Sequence, residues 1–529
     1  MGVLDYIWFG ILSVFGGPEL VSLFGLPVSV TLVMILAGFL LGIMVGATPG
    51  LAGPMAMAVA LPLLISAFGY TEEALLPVMG FLIGVMKGAT VGGAVPAILF
   101  NTPGTPDAYM TTLDGYPLAQ QGKAGKALRV AHLASVSGDT FSDLVLFVCA
   151  PFLAILVERY LDLPEKTALL ILSLSFIATV MGGSAGKGLI SAGLGLLAVS
   201  IGSGEDFYPR LSLGTQELAQ GFPISTAVLG VLILGAVFKG LDELWQERRA
   251  STAIRAPTAQ AGDQRLHWGD IRRIAPYVAR SAVVGTAIGA LPGIGSTLAA
   301  TLGYTLGKAR HRRRAQGETA FGKGAIEGIA ATEAANSSVS GANLIPVLSL
   351  GIPGNAAAVF LLLAADSIGG FNPGPSVFTF TRAQVNPELV IAFGLFTAMA
   401  LANLMNWTIG GLFMRLMGGM ARIPRQFLLP SVLLLTLSAI YVQETRLEAL
   451  WFALGFGVLG YVMRLLAISP LPFVIAFILG DKLEATARQA YAATGGDPLF
   501  LFTSPLAAVF MALAMGVIFY TARKARKTP

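Results

Sequence analysis

The residues of this chain best placed to act together are Glu333, Asn336, Ser337, Ser340 and Asn343. They fall at i, i+3, i+4, i+7 and i+10, the spacing that gathers side chains on one face of a helix. The positions around them are mostly Ala, Gly, Val, Leu and Ile. Amides and hydroxyls of this kind coordinate carboxylates or small cations without covalent chemistry. Such a stripe inside an apolar helix suits a membrane bundle, where it looks inward at partners or at a hydrophilic solute. Pro346 and Pro353-Gly354 then break the segment and leave main-chain groups free to bind something.

The surrounding composition says what must hold that stripe. Only 12% of the 529 residues are charged and 55% are hydrophobic, with a mean hydropathy of +0.75. Soluble domains carry about 25% charged residues, so a soluble enzyme or binding module is excluded. Apolar stretches near the spanning length of about 17–25 residues recur, with cores at 28–45, 141–156, 167–180, 224–238, 389–404, 447–465 and 499–520. We expect an all-α polytopic membrane protein with roughly 10–12 transmembrane crossings or partial crossings. Glycine, 64 residues of 529 against a usual share of about 7%, favours close helix packing and local unwinding. The net charge of +5 does not indicate nucleic acid, because the basic residues cluster in loops beside apolar segments, as cytoplasmic loops do. The single cysteine, Cys149, excludes an intrachain disulfide and reads as a packing residue. Residues 1–12 lack a positive n-region, so no cleavable signal peptide is expected.

Charge also suggests topology. Lys123, Lys126 and Arg129 place a loop at 114–129 on the cytoplasmic side, and His132, Ser135, Asp139 and Ser142 after it read as a solvated helix at the interface. The segment 241–273 holds Arg248, Arg249, Arg255, Arg265, Arg272 and Arg273 and reads as a cytoplasmic linker between membrane halves at 1–240 and 274–529. A second basic loop, 308–323, follows 34 largely apolar residues. If both loops are cytoplasmic, those residues enter and leave on one side, as two limbs of roughly 25 Å. The expected form is a re-entrant hairpin with Pro292-Gly293 at its tip, tolerated only where main chain is buried in protein or lines a wet cavity.

The chain also repeats itself. Gly42-x3-Gly46-Ala47-Thr48-Pro49-Gly50 matches Gly285-x3-Gly289-Ala290-Leu291-Pro292-Gly293 at an offset of 243. At an offset of 250, Pro96 matches Pro346 and Pro103-Gly104 matches Pro353-Gly354, while Lys87 and Thr90 fall on Ser337 and Ser340. Two composite motifs in the same order argue for duplication. Paired Gly/Pro-interrupted segments point to a transporter site near the midplane. Broken helices offer N–H groups to an anion and carbonyls to a cation. The expected substrate-binding residues are Lys87, Thr48, Pro49, Gly50, Asn101, Thr102, Pro103, Gly104, Thr105, Pro292, Gly293, Ser296, Asn336, Ser337, Ser340, Pro353, Gly354 and Asn355. Glu327 and Glu333 are candidates for ion coupling, and Gly46, Gly289, Asn101 and Asn336 for a sodium site; no structural metal and no cofactor are expected.

At these residues the chain resembles a known family. Gly46-Ala47-Thr48-Pro49-Gly50, Asn101-Thr102-Pro103-Gly104-Thr105-Pro106, Asp114-Gly115-Tyr116-Pro117, Gly322-Lys323-Gly324-Ala325-Ile326-Glu327-Gly328, Glu333-Ala334-Ala335-Asn336 and Gly351-Ile352-Pro353-Gly354 look like the large membrane subunit of tripartite tricarboxylate transporters. The resemblance runs from about residue 15 to 515. It implies a multi-pass permease of the bacterial inner membrane, working with a small four-helix membrane subunit and a periplasmic solute-binding protein. It implies uptake of citrate-like organic acid anions driven by a sodium or proton gradient, two inverted repeats with re-entrant hairpins, and an elevator-like motion. The chain departs from the family's pattern at Thr332, where Pro is expected, and at Ser337, where a second Asn is expected.

Two other readings differ in kind. Glu333-Ala334-Ala335 followed by Gly341 suggests the permease of an ATP-driven importer, which would need that motif on a cytoplasmic coupling helix. A membrane enzyme or assembly scaffold is weakened by the lack of a His/Cys/Asp cluster or a nucleophile–base pair; the three histidines all lie in or beside basic stretches.

Overall fold

The computed structural model describes residues 2–23, 26–48, 51–181, 184–202, 204–205, 208–211, 218–219, 221–247, 264–292, 295–314, 319–380, 384–417 and 425–525. The chain is an all-α polytopic membrane protein. Its first helix, α1 (Val3–Phe15), leads through a two-stranded ribbon, β1 (Glu19–Leu23) and β2 (Leu26–Ser29), to α2 (Val30–Gly46), α3 (Gly53–Phe68), α4 (Glu72–Gly92) and α5 (Ala94–Phe100). Then follow α6 (Tyr109–Leu118), α7 (Ala124–Tyr160), α8 (Leu163–Met181), α9 (Ala185–Val199), α10 (Ile224–Leu229) and α11 (Gly235–Glu247). The second half carries α12 (Trp268–Gly289), α13 (Gly295–Arg314), α14 (Ile326–Ala342), α15 (Leu344–Leu350), α16 (Ala356–Ile368), α17 (Pro387–Met405) and α18 (Gly411–Leu416). It closes with α19 (Arg425–Glu444), α20 (Leu447–Leu465), α21 (Leu471–Ala493) and α22 (Pro505–Ala525). Among the described residues, five helical stretches are long and apolar enough to cross a membrane, and seven shorter apolar helices accompany them.

The duplication is visible in where helices stop. α2 ends at Gly46 and α12 at Gly289, the same register at offset 243. Both chains then leave the helix before the proline and resume at Gly53 and Gly295. Pro292 lies in the turn of the second hairpin, whereas Pro49, Gly50 and Gly293 lie outside the described residues. At offset 250, Gly92, Ala94 and Phe100, the bounds of the break and end of α4–α5, fall on Ala342, Leu344 and Leu350 of α14–α15. The turns that follow also match. Asn101 (φ 54°) and Gly351 (φ 69°) are both left-handed, and the N–H groups of Thr102 and Ile352 reach back to the carbonyls of Pro96 (3.3 Å) and Pro346 (3.2 Å).

Glycine explains how the broken helices are held. A methyl group at Gly42 or Gly46 of α2 would overlap the backbone of Val85 or Ala89 on α4, and one at Gly88 would overlap Phe39. The two backbones therefore touch, which buries main-chain surface and gains dispersion contact that bulkier residues would forfeit. Gly285 and Gly289 set α12 against Ala335, Val339 and Ala342 of α14 in the same way.

The chain forms two compact units, each drawn from both halves of the sequence. Unit 1 comprises Met1–Leu153, Glu247–Leu291 and Gly295–Leu428; unit 2 comprises Ala154–Gln246, Pro292–Ile294 and Leu429–Pro529. Unit 1 holds both repeated helix pairs. Within unit 2, α10 and α11 are joined by a widened π turn, Gly230–Leu234. Such a turn frees carbonyls, and Arg464 of α20 donates to those of Val231 and Leu232 at 2.8 Å each.

Several expectations need correction. The basic stretch 114–129 is not a loop: α6, a π turn at Ala119–Lys123 and α7 carry it. The second basic segment is helical through Arg314, because the last turns of α13 continue into it. Ser135, Asp139 and Ser142 are not solvated; they are buried in unit 1. Of the linker at 241–273, residues 248–263 lie outside the described residues, and α11 and α12 take in its two ends.

Candidate functional site

Every residue of α14 is buried, so its polar stripe is shut off from bulk solvent. At about 100° per residue, Thr332, Asn336, Ser340 and Asn343 lie within about 80° of one another, with Glu333 and Ser337 on the flank. Glu333 is fully engaged: it accepts hydrogen bonds from the hydroxyls of Thr111 on α6 and Ser135 on α7, the latter at 2.9 Å. The rest of the stripe is not. Thr332 Oγ1, both amide atoms of Asn336, Ser337 Oγ and both amide atoms of Asn343 have no protein partner, and the buried Ser340 turns toward Asp139 of α7. A stranded buried polar group costs about 1–3 kcal/mol. Three such residues on α14 and one at its C-terminal cap, Asn343, mark the candidate site.

Other predicted residues fall at helix ends and turns. Gly104 lies so close to the carbonyl of Gly46 that a side chain there would overlap it, which brings the end of α2 to the Asn101–Thr105 turn. Two residues on, Asp107 accepts a 2.6 Å bond from Thr297 in the first turn of α13, so the first repeat's turn meets the second hairpin. Thr48 and Thr105 are buried, Thr102 and Pro103 half-buried and Asn101 exposed; the Thr48 hydroxyl donates to the carbonyl of Met44 at 2.9 Å. Ser296 is half-buried at the start of α13, and Pro353 and Gly354 are buried. Asn355 caps α16, its side-chain oxygen accepting from Ala358 N at 2.8 Å. Glu327 is buried and paired with Arg273 of α12.

Lys87 neither snorkels to a headgroup nor stands free for an anion. Its side chain is wholly buried and its Nζ donates to Asp139 Oδ1 (2.9 Å) and Asp143 Oδ2 (2.8 Å) of α7. Asn403 of α17 donates to the same Asp143 oxygen at 2.7 Å. Sequence reasoning missed this group, although Asp139 and Asp143 at i and i+4 opposite a lone intramembrane lysine was the signal that could have found it.

Two of the motifs that carry the resemblance form one joint. Asp114 Oδ1 accepts from the N–H groups of Gly322 (2.8 Å), Gly324 (2.9 Å) and Ala325 (2.9 Å). Gly322 (φ 88°) and Gly324 (φ 95°) are left-handed, a conformation that lets successive N–H groups converge on one oxygen. The joint fixes the entry into α14.

A profile of the tripartite tricarboxylate transporter TctA family matches residues 32–475. The chain belongs to this family. The TctA family is a transporter family, and its name places its members in assemblies with other subunits. An uncharacterised 52.8 kDa protein in the TAR-I ttuC′ 3′ region of Agrobacterium vitis is 29% identical over 496 residues, covering 92% of each chain. An uncharacterised protein in the TAR-II ttuC′ 3′ region of the same organism is 31% identical over 235 residues, 44% of this chain and 90% of that one. No solved structure matches. The ATP-driven alternative loses its footing for a TctA member built this way. Glu333-Ala334-Ala335 lies on a helix with no exposed residue, where no soluble partner could dock.

Proposed function

We propose that this chain is the solute-translocating permease of a bacterial inner-membrane importer. It takes up citrate-like tricarboxylates or related organic acid anions together with sodium or protons. A periplasmic solute-binding protein delivers the anion, and a small four-helix membrane subunit completes the assembly. The observation that carries this reading is the stranded polar stripe on the enclosed helix α14, beside the duplicated helix breaks.

The chemistry follows from the donors. Asn336 and Asn343 offer amide N–H groups, and Thr332 and Ser337 offer hydroxyls, each able to donate to a carboxylate oxygen. None of them carries a full charge, so the anion is recognised without a buried ion pair that would hold it too tightly to release. The amide oxygens of the same asparagines, with carbonyls freed at the ends of α2 and α12, suit a cation accompanying the anion. The breaks at Gly92–Ala94 and Ala342–Leu344 are the positions where inverted repeats would flex during alternating access.

The test separates function from stability. Asn336→Ala removes stranded polar atoms, so the solute-free protein should melt no lower than wild type while citrate uptake into vesicles falls at least about tenfold, the scale of one lost charge-assisted bond. Asn101→Ala should lower uptake with membrane insertion intact. Unchanged uptake kinetics in both variants would overturn the assignment.

A further inference from the structure

The buried group around Lys87 has a charge count that does not close. Two carboxylates, Asp139 and Asp143, face one ammonium. All three side chains are nearly or wholly shielded, with 0%, 3% and 2% of Lys87, Asp139 and Asp143 exposed. One excess negative charge in such a place costs several kcal/mol. The hydrogen-bond count shows the same deficit from the other side. Asp143 Oδ2 accepts from both Lys87 and Asn403, while Asp143 Oδ1 and Asn403 Oδ1 have no protein partner. Both stranded atoms are acceptors, so the group lacks something positive or something that donates.

We propose that this group is a proton-binding site that couples the transport reading above, on which it rests, to the pH gradient, with Asp143 Oδ1 as the atom that takes the proton. An O–H bond forms there, Oδ2 keeps its bonds to Lys87 and Asn403, and the group becomes neutral. Sodium fits less well. Lys87 Nζ already occupies the space between the carboxylates, and two stranded oxygens are too few to replace a hydration shell. The surroundings are otherwise uncharged. α4 presents Lys87, α17 presents Asn403, α14 presents Gly341, and α7 itself adds Asp139. Among the described residues the ion pairs of Asp139 and Asp143 are both to Lys87. His132, further back on α7, is bonded to Asn406, and Glu333 is held by Thr111 and Ser135.

The position ties proton to solute. A methyl group at Gly341 of α14 would overlap Asp143 Oδ1, and one at Gly138 of α7 would overlap the carbonyl of Ala334. Asp143 is thus in contact with the helix that carries Asn336 and Ser337. A change in its charge alters the packing of that helix at the turn next to the stripe.

Two measurements test this. In the first, the purified chain in lipid is titrated by infrared difference spectroscopy with no solute present. Wild type should show the carbonyl stretch of a buried carboxylic acid that appears on acidification. The measurement is made in a Glu333→Gln background, which removes a second buried carboxylate without a cation beside it; there Asp143→Asn should lose the band. In the second, vesicles carrying the complete transporter take up citrate under an imposed pH difference. For one proton per solute, wild-type accumulation should rise about tenfold per pH unit, and Asp143→Asn should exchange citrate but not accumulate it. The inference is overturned if the infrared band survives Asp143→Asn in that background, if wild type has no such band, or if accumulation follows sodium and ignores pH. Absence of uptake under every gradient would instead count against the transport reading, and the infrared result would still decide the proton site.

Discussion

At the scale of single residues, the polar groups inside unit 1 fall into those that are answered and those that wait. Glu333 is answered at both oxygens, and Asp114 and Glu327 at one oxygen each, by donors from another element. Their roles in stability are therefore distinct from those of the stripe. Glu333→Ala should lower stability by about 2–4 kcal/mol, because two buried hydroxyls lose their acceptor. Glu333→Gln should cost less than half of that, since the hydroxyls can turn to the amide oxygen; thermal unfolding in detergent distinguishes the two. Lys87→Met should cost about 3–5 kcal/mol by leaving two carboxylates unpaired, and adding Asp139→Asn should restore part of it, a non-additivity expected of groups in contact. The stripe's place on one helix was legible from spacing alone, since polar residues at helical intervals in an apolar segment share a face. The partners of Lys87 were not. They lie 52 and 56 positions away, and the i, i+4 pair of aspartates on α7 looks the same in sequence whether it faces solvent or a buried amine.

At the scale of elements, the hairpins and broken helices are set by glycine contact and by left-handed turns. Gly42→Leu or Gly88→Leu should force α2 and α4 apart and sharply reduce the folded yield. Gly193→Ala and Gly455→Ala, whose surroundings are open, should be neutral or stabilise by up to about 1 kcal/mol through helix propensity. The first turn uses Asn101 where the second uses Gly351. A left-handed asparagine is tolerated at some cost, so Asn101→Gly should stabilise the chain slightly while removing an amide from the candidate site. Raised melting temperature with slowed citrate uptake is the expected pair of readings. The repeat offsets were readable because Pro and Gly mark breaks wherever they occur. The helical state of 114–129 was not, because a basic, glycine-bearing stretch reads as a loop until buried partners override local preference.

At the scale of the whole molecule, sequence halves and compact units do not coincide. Unit 1 takes α1–α6 and most of α7 from the first half and α12–α18 from the second. α14, from the second half, is held by α6 and α7 from the first through Thr111, Ser135 and Asp114. Neither half can complete this unit alone. Residues 1–247 and 264–529 expressed separately should therefore be degraded, whereas their co-expression should restore a protease-resistant, transport-competent pair.

The complete enclosure of α14 has one more consequence. A helix that meets neither lipid nor water is free of the pressures those solvents impose, and only its neighbours constrain it. Tolerated changes along it should come in compensating couples, with a gained bulk at Ala334 or Ala335 matched by a loss on α7 or α12. On the proposed function, related transporters that handle different anions should differ at Thr332, Asn336, Ser337 and Asn343 without such couples, because the proposal makes the cargo their neighbour.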